Sequence, residues 1–485
     1  MQQTRIVSSG VLAVATAGVG LWLTIGGSAQ VASTPQRSTP TFSHDVAPIL
    51  YAKCVSCHRP GEVGPMPLIT FKDVRPWARA IQQKTSTRAM PPWGADAHYG
   101  KFRNDRSLTD RQIATLAAWA DGGAPEGDTK DLPALPQFVD GWQIGQPDQT
   151  FEMRADFEIP AKGAVDYQYF EVPTNFTEDH WMQAGEVRAG DRAHVHHIIV
   201  YVKEPKPTPR PVAVTIRPIL AAAPAVGRNS SAPPSPTPTP AAALASSSDV
   251  GRPSAADVGL ALSGPPVTTA PAQTTAASSR TGDTMLVNWA VGEDAPVFPS
   301  GMAKRIPAGS TLVFQVHYTT NGTPGRDRSR VGFIFSKEPP QREMRTALIA
   351  NPVFTIPAGA GNHQVEAEAT FVEDVKIYTM HPHMHLRGKD MTYTLTRPDG
   401  ATEVLLSVPK YDFGWQTDYA LAEPLAVTKG SKVRVTAHFD NSPANRANPD
   451  PTANVRWGDQ TWEEMMIGFV TYTVEGRAAS QTASR

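Results

Sequence analysis

Residues 109–123 carry a helical hydrophobic period. Thr109-Asp110-Arg111-Gln112 forms a capping box, Ile113, Leu116, Ala117 and Ala120 recur at i, i+3, i+4 and i+7, and Gly122-Gly123 ends the run. Farther along the period is two. Residues 193–202, 285–289, 311–318 and 374–380 are β-branched or alternate apolar with polar positions, which predicts strands. The chain therefore reads as helical over 42–128 and as β structure from residue 149. In an extended strand i, i+2 and i+4 share a face, so the run that follows 374–380, His381-Pro382-His383-Met384-His385, is expected to project three imidazoles one way.

Two stretches break the periodicity. Residues 132–148 form a Pro-containing connection, and residues 203–280 are rich in Pro, Ala, Ser and Thr, including Pro233-Pro234-Ser235-Pro236-Thr237-Pro238. Such a composition cannot bury a core, which predicts a disordered or polyproline-like insertion. Strand character resumes at Met285, so the insertion interrupts a β domain and does not separate two. The N-terminus has Arg5, an apolar run over 11–25 and the small residues Gly26-Gly27-Ser28-Ala29, the layout of a secretory signal. No second apolar stretch of spanning length follows. The expected organisation is a signal peptide (1–29), a tether (30–41), a helical domain (42–128), a first β domain (149–340), a second (341–476) and a tail (477–485). The expected location is the periplasm or another exported compartment, without a membrane span after processing.

Composition fits this outline. The 485 residues suffice for three domains, and 37 Gly with 45 Pro favour turn-rich β architecture. Lys plus Arg number 45 against 46 Asp plus Glu, a net charge of −1 that gives no reason to expect nucleic acid.

Exported chains commonly use cysteine for disulfides, but here the two cysteines are Cys54 and Cys57, followed by His58. C-x-x-C-H is the attachment pattern of haem c, with the histidine as proximal iron ligand. A thioredoxin-like pair would need a βαβ surround, and a zinc site would need further cysteines. Met90, before Pro91-Pro92-Trp93, is the expected distal ligand, with Met66 as runner-up. The remaining histidines fall in the β regions. His194, His196 and His197 share one strand. His196 and His197 point to opposite faces of an ideal strand, so joint ligation by them needs a bulge or a strand end, whereas His194 and His196 share a face without one. His317 ends another strand. His383 and His385 pair with a late methionine in the second β domain. An all-histidine set beside a His/His/Met set suits copper, because a thioether favours Cu(I). Two alternatives stand beside this: a non-catalytic electron-transfer or copper-binding protein, and a zinc site of a hydrolase held by His381, His383 and His385.

Residues 193–201, Gln315-Val316-His317-Tyr318, His383-Met384-His385-Leu386 and Glu464-Met465-Met466 resemble the copper type II, ascorbate-dependent monooxygenases, among them the peptidylglycine α-hydroxylating and dopamine β-monooxygenases. The resemblance implies two tandem all-β jelly-roll sandwich domains, one copper in each, facing across a cleft. His196, His197 and His317 would hold an electron-transferring copper, leaving His194 in support. His383, His385 and Met465 would hold the catalytic copper that activates O₂ and attacks a C–H bond of an organic substrate. Residues 42–128 resemble short c-type cytochrome domains, in which a Met-Pro-Pro segment supplies the distal ligand, so a small all-α haem c domain (Cys54, Cys57, His58, Met90) would precede the sandwiches. It would replace or relay an ascorbate-like donor or a periplasmic redox protein. There are departures. No cysteine is left for the disulfides of the eukaryotic enzymes, and the peptide-gripping Arg, Asn and Tyr of the amidating enzyme correspond to His381, Ile467 and Phe469, which argues against peptide amidation.

Overall fold

The structure is a computed structural model that describes residues 39–60, 62, 64–139, 141–205, 213–219, 284–290, 292–477 and 479. The signal-like segment and the Pro233–Pro238 run lie outside these residues.

The helical region is built on caps and one small core. Thr109 Oγ1 accepts from Gln112 N at 3.2 Å while Gln112 Oε1 accepts from Thr109 N at 2.9 Å, so the helix Asp110–Asp121 starts on the reciprocal box that its sequence predicts. Thr70 and Asp73 form a second box at the start of Phe71–Val74. These helices and Ala47–Lys53 enclose Phe42, Leu50, Val74, Leu116 and Trp119, all buried. Among the described residues no helix is long and apolar enough to cross a membrane.

The rest is two sandwiches. In the first, the sheet Gln149–Glu152, Arg330–Phe335, His180–Arg188, Met302–Ile306, Arg342–Glu343 packs on the sheet Gln168–Pro173, Thr311–Tyr318, Val195–Lys203, Thr284–Ala290. Val187, Ile198, Val200, Leu286, Phe314 and Phe333 fill the space between them. In the second, the sheet Arg345–Ala350, Ile467–Val474, Val375–His383, Tyr419–Val427 packs on Thr402–Val408, Gly388–Thr396, Lys432–Phe439, His363–Phe371, Val214–Ile219 around Ile377, Met380, Tyr393, Val435 and Val470. The pairings are antiparallel apart from the short one of Arg342–Glu343 with Met302–Ile306. The chain is thus mostly β, as the period-two segments predict.

One expectation fails here. Residues 203–280 read as a structureless insertion in the first sandwich, yet Val214–Ile219 is an edge strand of the second, paired with His363–Phe371. Val214, Ile216 and Ile219 supply enough β-forming side chains, and Pro218 is tolerated because an edge strand has one free side. The Pro-rich composition of the flanks hid this short run.

A small apolar cluster joins the sandwiches. Ile199 and Met285 of the first meet Met465, Ile467 and Phe469 of the second. The helical region docks on both. Arg192 pairs with Glu62, Arg106 pairs with Asp294 at 3.3 Å, Arg103 N donates to Ala420 O at 2.9 Å, and Trp93 packs against Tyr419.

Candidate metal centre

The first histidine group depends on a fault in a strand. Val195 pairs with Tyr318 and His197 with His317, so the register slips by one and His196 is the extra residue of a bulge. A bulge re-aims its side chain, which lets two adjacent histidines face one point. His196 Nδ1 and His197 Nδ1 lie 3.0 Å apart, and ligating atoms of His196, His197 and His317 fall within 4.8 Å of one another. His194 is not part of this set. Its Nδ1 lies 2.7 Å from Asp191 Oδ2 and its Nε2 3.1 Å from Thr323 O, which satisfies both nitrogens.

The second group sits where Val375–His383 ends. His383 is the last strand residue, paired in register with Ile467, and His385 lies beyond it. Glu464, fully buried, fixes that turn: Oε2 accepts from His385 N at 2.8 Å and Oε1 from Arg387 N at 2.6 Å. Burial pushes this carboxyl up to about 8, against the pull of the two amides and the Arg387 guanidinium. Met465 follows Glu464 and lies in the apolar cluster between the sandwiches, two residues before the partner of His383.

The three imidazoles expected on one face do not form one set. His381 Nδ1 lies 3.0 Å from Asp418 Oδ1 and groups with Asp418 and Glu293. The strand stops at His383, so the i, i+2, i+4 rule no longer governs His385. Nor are the two histidine groups held apart by an open cleft. The His197 and His383 rings are 6.4 Å apart between centroids. Gln416 reaches both, with Oε1 2.6 Å from His383 Nδ1 and Nε2 3.4 Å from His197 Nδ1. Phe413 stacks on His196 at 5.1 Å and meets His385 at 6.0 Å, while Tyr167 stacks on His317 at 4.8 Å. Side chains from the segment before Tyr419–Val427 fill what would otherwise be the gap.

Hydrogen bonds assign the tautomers. His385 Nδ1 donates to Glu463 O at 3.2 Å, leaving Nε2 buried without a partner. His383 Nδ1 donates to Gln416 Oε1, which likewise frees Nε2. In the first group the order inverts: His197 Nε2 faces the Tyr167 hydroxyl at 3.2 Å, His317 Nε2 faces the Thr461 hydroxyl at 3.2 Å, and His317 Nδ1 is buried without a partner. A second hydrogen bond on the far nitrogen is what orients a metal-ligating imidazole. Burial holds all five rings neutral, His196 and His385 at about 4 and the others well below their usual value. Neutral imidazoles with unpartnered buried nitrogens fit a transition metal.

Residues 352–483 match the family described as copper type II ascorbate-dependent monooxygenase, C-terminal domain. The second sandwich is similar to that C-terminal domain. The matched region carries His383, His385, Glu464 and Met465, and the sandwich before it carries His196, His197 and His317. No curated protein sequence matches the chain. Among solved structures, a xanthan lyase from Paenibacillus is similar at 11% identity over 71% of this chain and 28% of that one, with a TM-score of 0.15, too low to carry an argument. The chain thus spans under a third of that protein.

The C-x-x-C-H segment lies at the end of Ala47–Lys53. Cys57 N and His58 N both donate to Cys54 O, at 3.1 and 2.9 Å. His58 Nδ1 lies 3.2 Å from Met66 O, which turns Nε2 away from Met66. Met90 is in the turn after Ala78–Ser86, its N–H donating to Lys84 O at 3.2 Å. Burial pushes the Cys54 thiol up to about 12, so it is no reactive thiolate.

Sequence reasoning missed Gln416, Phe413, Tyr167, Glu293 and Asp418 altogether. Glu464 was within sight, beside Met465, but nothing local distinguishes it from a solvent-exposed acid.

Proposed function

We propose that this protein is an exported, haem c-linked copper monooxygenase that hydroxylates a C–H bond of a small organic substrate. The overall reaction is R–H + O₂ + 2 e⁻ + 2 H⁺ → R–OH + H₂O. The observation that carries the reading is the meeting of two histidine groups: His196, His197 and His317 with ligating atoms within 4.8 Å of one another, and His383 and His385, whose Nδ1 atoms are engaged by Gln416 and the Glu463 carbonyl, with the His197 and His383 rings 6.4 Å apart. His196, His197 and His317 would hold one copper, and His383, His385 and Met465 the other. Copper at these positions would supply O₂ activation and one-electron storage. Tyr167, Gln416 and Phe413 orient the imidazoles and keep bulk water from between the sets.

For the N-terminal unit, Cys54 and Cys57 would carry the haem thioethers, His58 the proximal bond and Met90 the distal one. Haem there would supply one-electron transfer. Two features support the fit. The Met66 carbonyl behind His58 Nδ1 leaves Nε2 for iron, which supports Met90 over Met66 as the distal ligand. Gly292 lies against Cys57 so closely that a Cβ on it would stand 3.1 Å from Sγ. Two residues earlier, Ala290 is the register partner of His197. Gly292 at the cysteine and Ala290 at the three-histidine set are thus two residues apart in sequence, which supports the order of electron entry this reading needs. An ascorbate-like molecule or a periplasmic redox protein would reduce the chain, and no nucleic acid is involved.

The test is metal analysis and electron paramagnetic resonance on protein matured in an exporting, haem-attaching host. One iron and two coppers are expected, with one copper signal altered in His383→Ala and weakened binding in Met465→Leu. A single copper indifferent to Met465, or zinc alone, would overturn the two-copper reading.

A further inference from the structure

Outside the five-histidine centre, a second set of ligating side chains converges where the three units meet. Glu293 follows Thr284–Ala290 of the first sandwich, His381 lies in Val375–His383 of the second, and Asp418 immediately precedes Tyr419–Val427. One donor atom from each lies within 4.8 Å of the others. We propose that Glu293, His381 and Asp418 form a third metal site, for a divalent cation of the zinc type, that ties the two sandwiches together.

The geometry around His381 argues for coordination over a plain ion pair. Its ring is 5% exposed, and Nδ1 stands 3.0 Å from Asp418 Oδ1. This buried nitrogen thus has a close carboxylate without a hydrogen-bonded partner. Two donors held about 2.1 Å from one ion at tetrahedral or octahedral angles lie roughly 3.0–3.4 Å apart, each pointing at the ion and not at the other. The His381–Asp418 pair has that separation.

Glu293 is positioned as a bound carboxylate would be. Oε1 accepts from Asp418 N at 2.6 Å and Oε2 from Asn288 Nδ2 at 3.0 Å, which fixes the group and leaves lone pairs on both oxygens. Asn104 of the helical region holds Asp418 from behind: its Nδ2 donates to Asp418 O at 2.6 Å. Burial beside Asp418 pushes the Glu293 carboxyl up to about 8, the signature of an acidic pair that a cation would relieve. One imidazole and two carboxylates make a hard-to-borderline donor set with no sulfur, which favours Zn²⁺ and disfavours Cu(I). Because the ligands come from both sandwiches, binding stabilises the arrangement that brings His197 against His383.

The test uses full-length, copper-loaded protein titrated with ZnCl₂, with retained zinc counted by mass spectrometry after gel filtration and the melting temperature followed in parallel. Wild type is expected to retain one zinc per chain and to melt higher with it. Glu293→Gln and Asp418→Asn are each expected to lose that zinc by at least tenfold in affinity, together with the melting shift, while copper content stays at the wild-type value. Two separate variants guard against one misfolding, which circular dichroism would reveal. Failure of wild type to retain zinc, or equal retention by both variants, overturns the proposal. A copper count other than two bears on the monooxygenase reading alone, because the zinc result rests on Glu293 and Asp418.

Discussion

Glu464→Ala tests how the second histidine pair is held. In the native protein the carboxylate has no solvent exposure and takes two buried backbone amides, His385 N at 2.8 Å and Arg387 N at 2.6 Å. Arg387 is itself buried, donating from Nε to Asn441 Oδ1 at 2.8 Å and from Nη1 to Trp462 O at 2.9 Å. Truncation leaves both amides without an acceptor, at about 1–3 kcal/mol each. These costs overlap, because they fall on the same turn and the same two residues, so about 4 kcal/mol of local destabilisation is expected. Hydrogen exchange resolved at the 383–388 segment reads it directly: 4 kcal/mol corresponds to about a thousandfold faster exchange of those amides. Glu464→Gln keeps one acceptor and should show roughly half the effect. A turn that has lost its anchor also holds its imidazoles less well, so copper affinity at His383 and His385 should fall about 10–100-fold. Exchange within threefold of wild type in Glu464→Ala, with unchanged copper affinity, would show that the strand end is positioned by something other than this carboxylate.

Further expectations follow from the same contacts. His194→Ala should destabilise the loop around Asp191 and Thr323 by about 2 kcal/mol yet leave the copper count intact, whereas His196→Ala or His317→Ala should each remove one copper; loss of copper in His194→Ala would reverse that assignment. Gly292 has a φ of +82°, and a side chain there would crowd Cys57 Sγ and the Arg106 guanidinium, so Gly292→Val should slow anaerobic electron transfer from haem to copper at least tenfold without changing the haem spectrum. Equal rates would rule out electron passage at the contact of Gly292 with Cys57. Lys304 is buried with Nζ donating to Met285 O and Leu286 O, and burial lowers its amine to about 8. The folded state therefore sheds this proton before the unfolded state does. Relative to Lys304→Met, wild-type stability should rise with pH between about 8 and 10.5, by on the order of 3 kcal/mol, and be flat below that window. Denaturation of the pair across pH 6–11 checks it, and a parallel course for the two proteins would refute it.

Local rules carried the reading of the chain a good distance. The capping box at Thr109 and the spacing of Ile113, Leu116 and Ala120 specify a helix because both ends and the buried face are written within fifteen residues. The strands that bear His197, His317 and His383 are legible for the same reason: a period of two is set by neighbours in sequence. That joint ligation by His196 and His197 needs a bulge or a strand end was also legible, since adjacent side chains on a regular strand diverge. That the bulge exists depends on the pairing partner 120 residues away, where Tyr318 and His317 take Val195 and His197.

What could not be read is what crosses between units. His381, His383 and His385 look equivalent in sequence, and the strand rule makes them so. The structure separates them because Asp418 and Glu293 draw one imidazole while Glu464 and the Glu463 carbonyl hold another. Each of those partners is more than thirty residues distant, and an isolated Asp or Glu in a loop carries no local mark of burial. The same holds for Gln416, whose amide lies between His383 and His197. Two histidine groups placed on separate sandwiches are, by sequence, two sites. It is a single glutamine, a phenylalanine and a tyrosine packed among the rings that bring them into one contiguous centre.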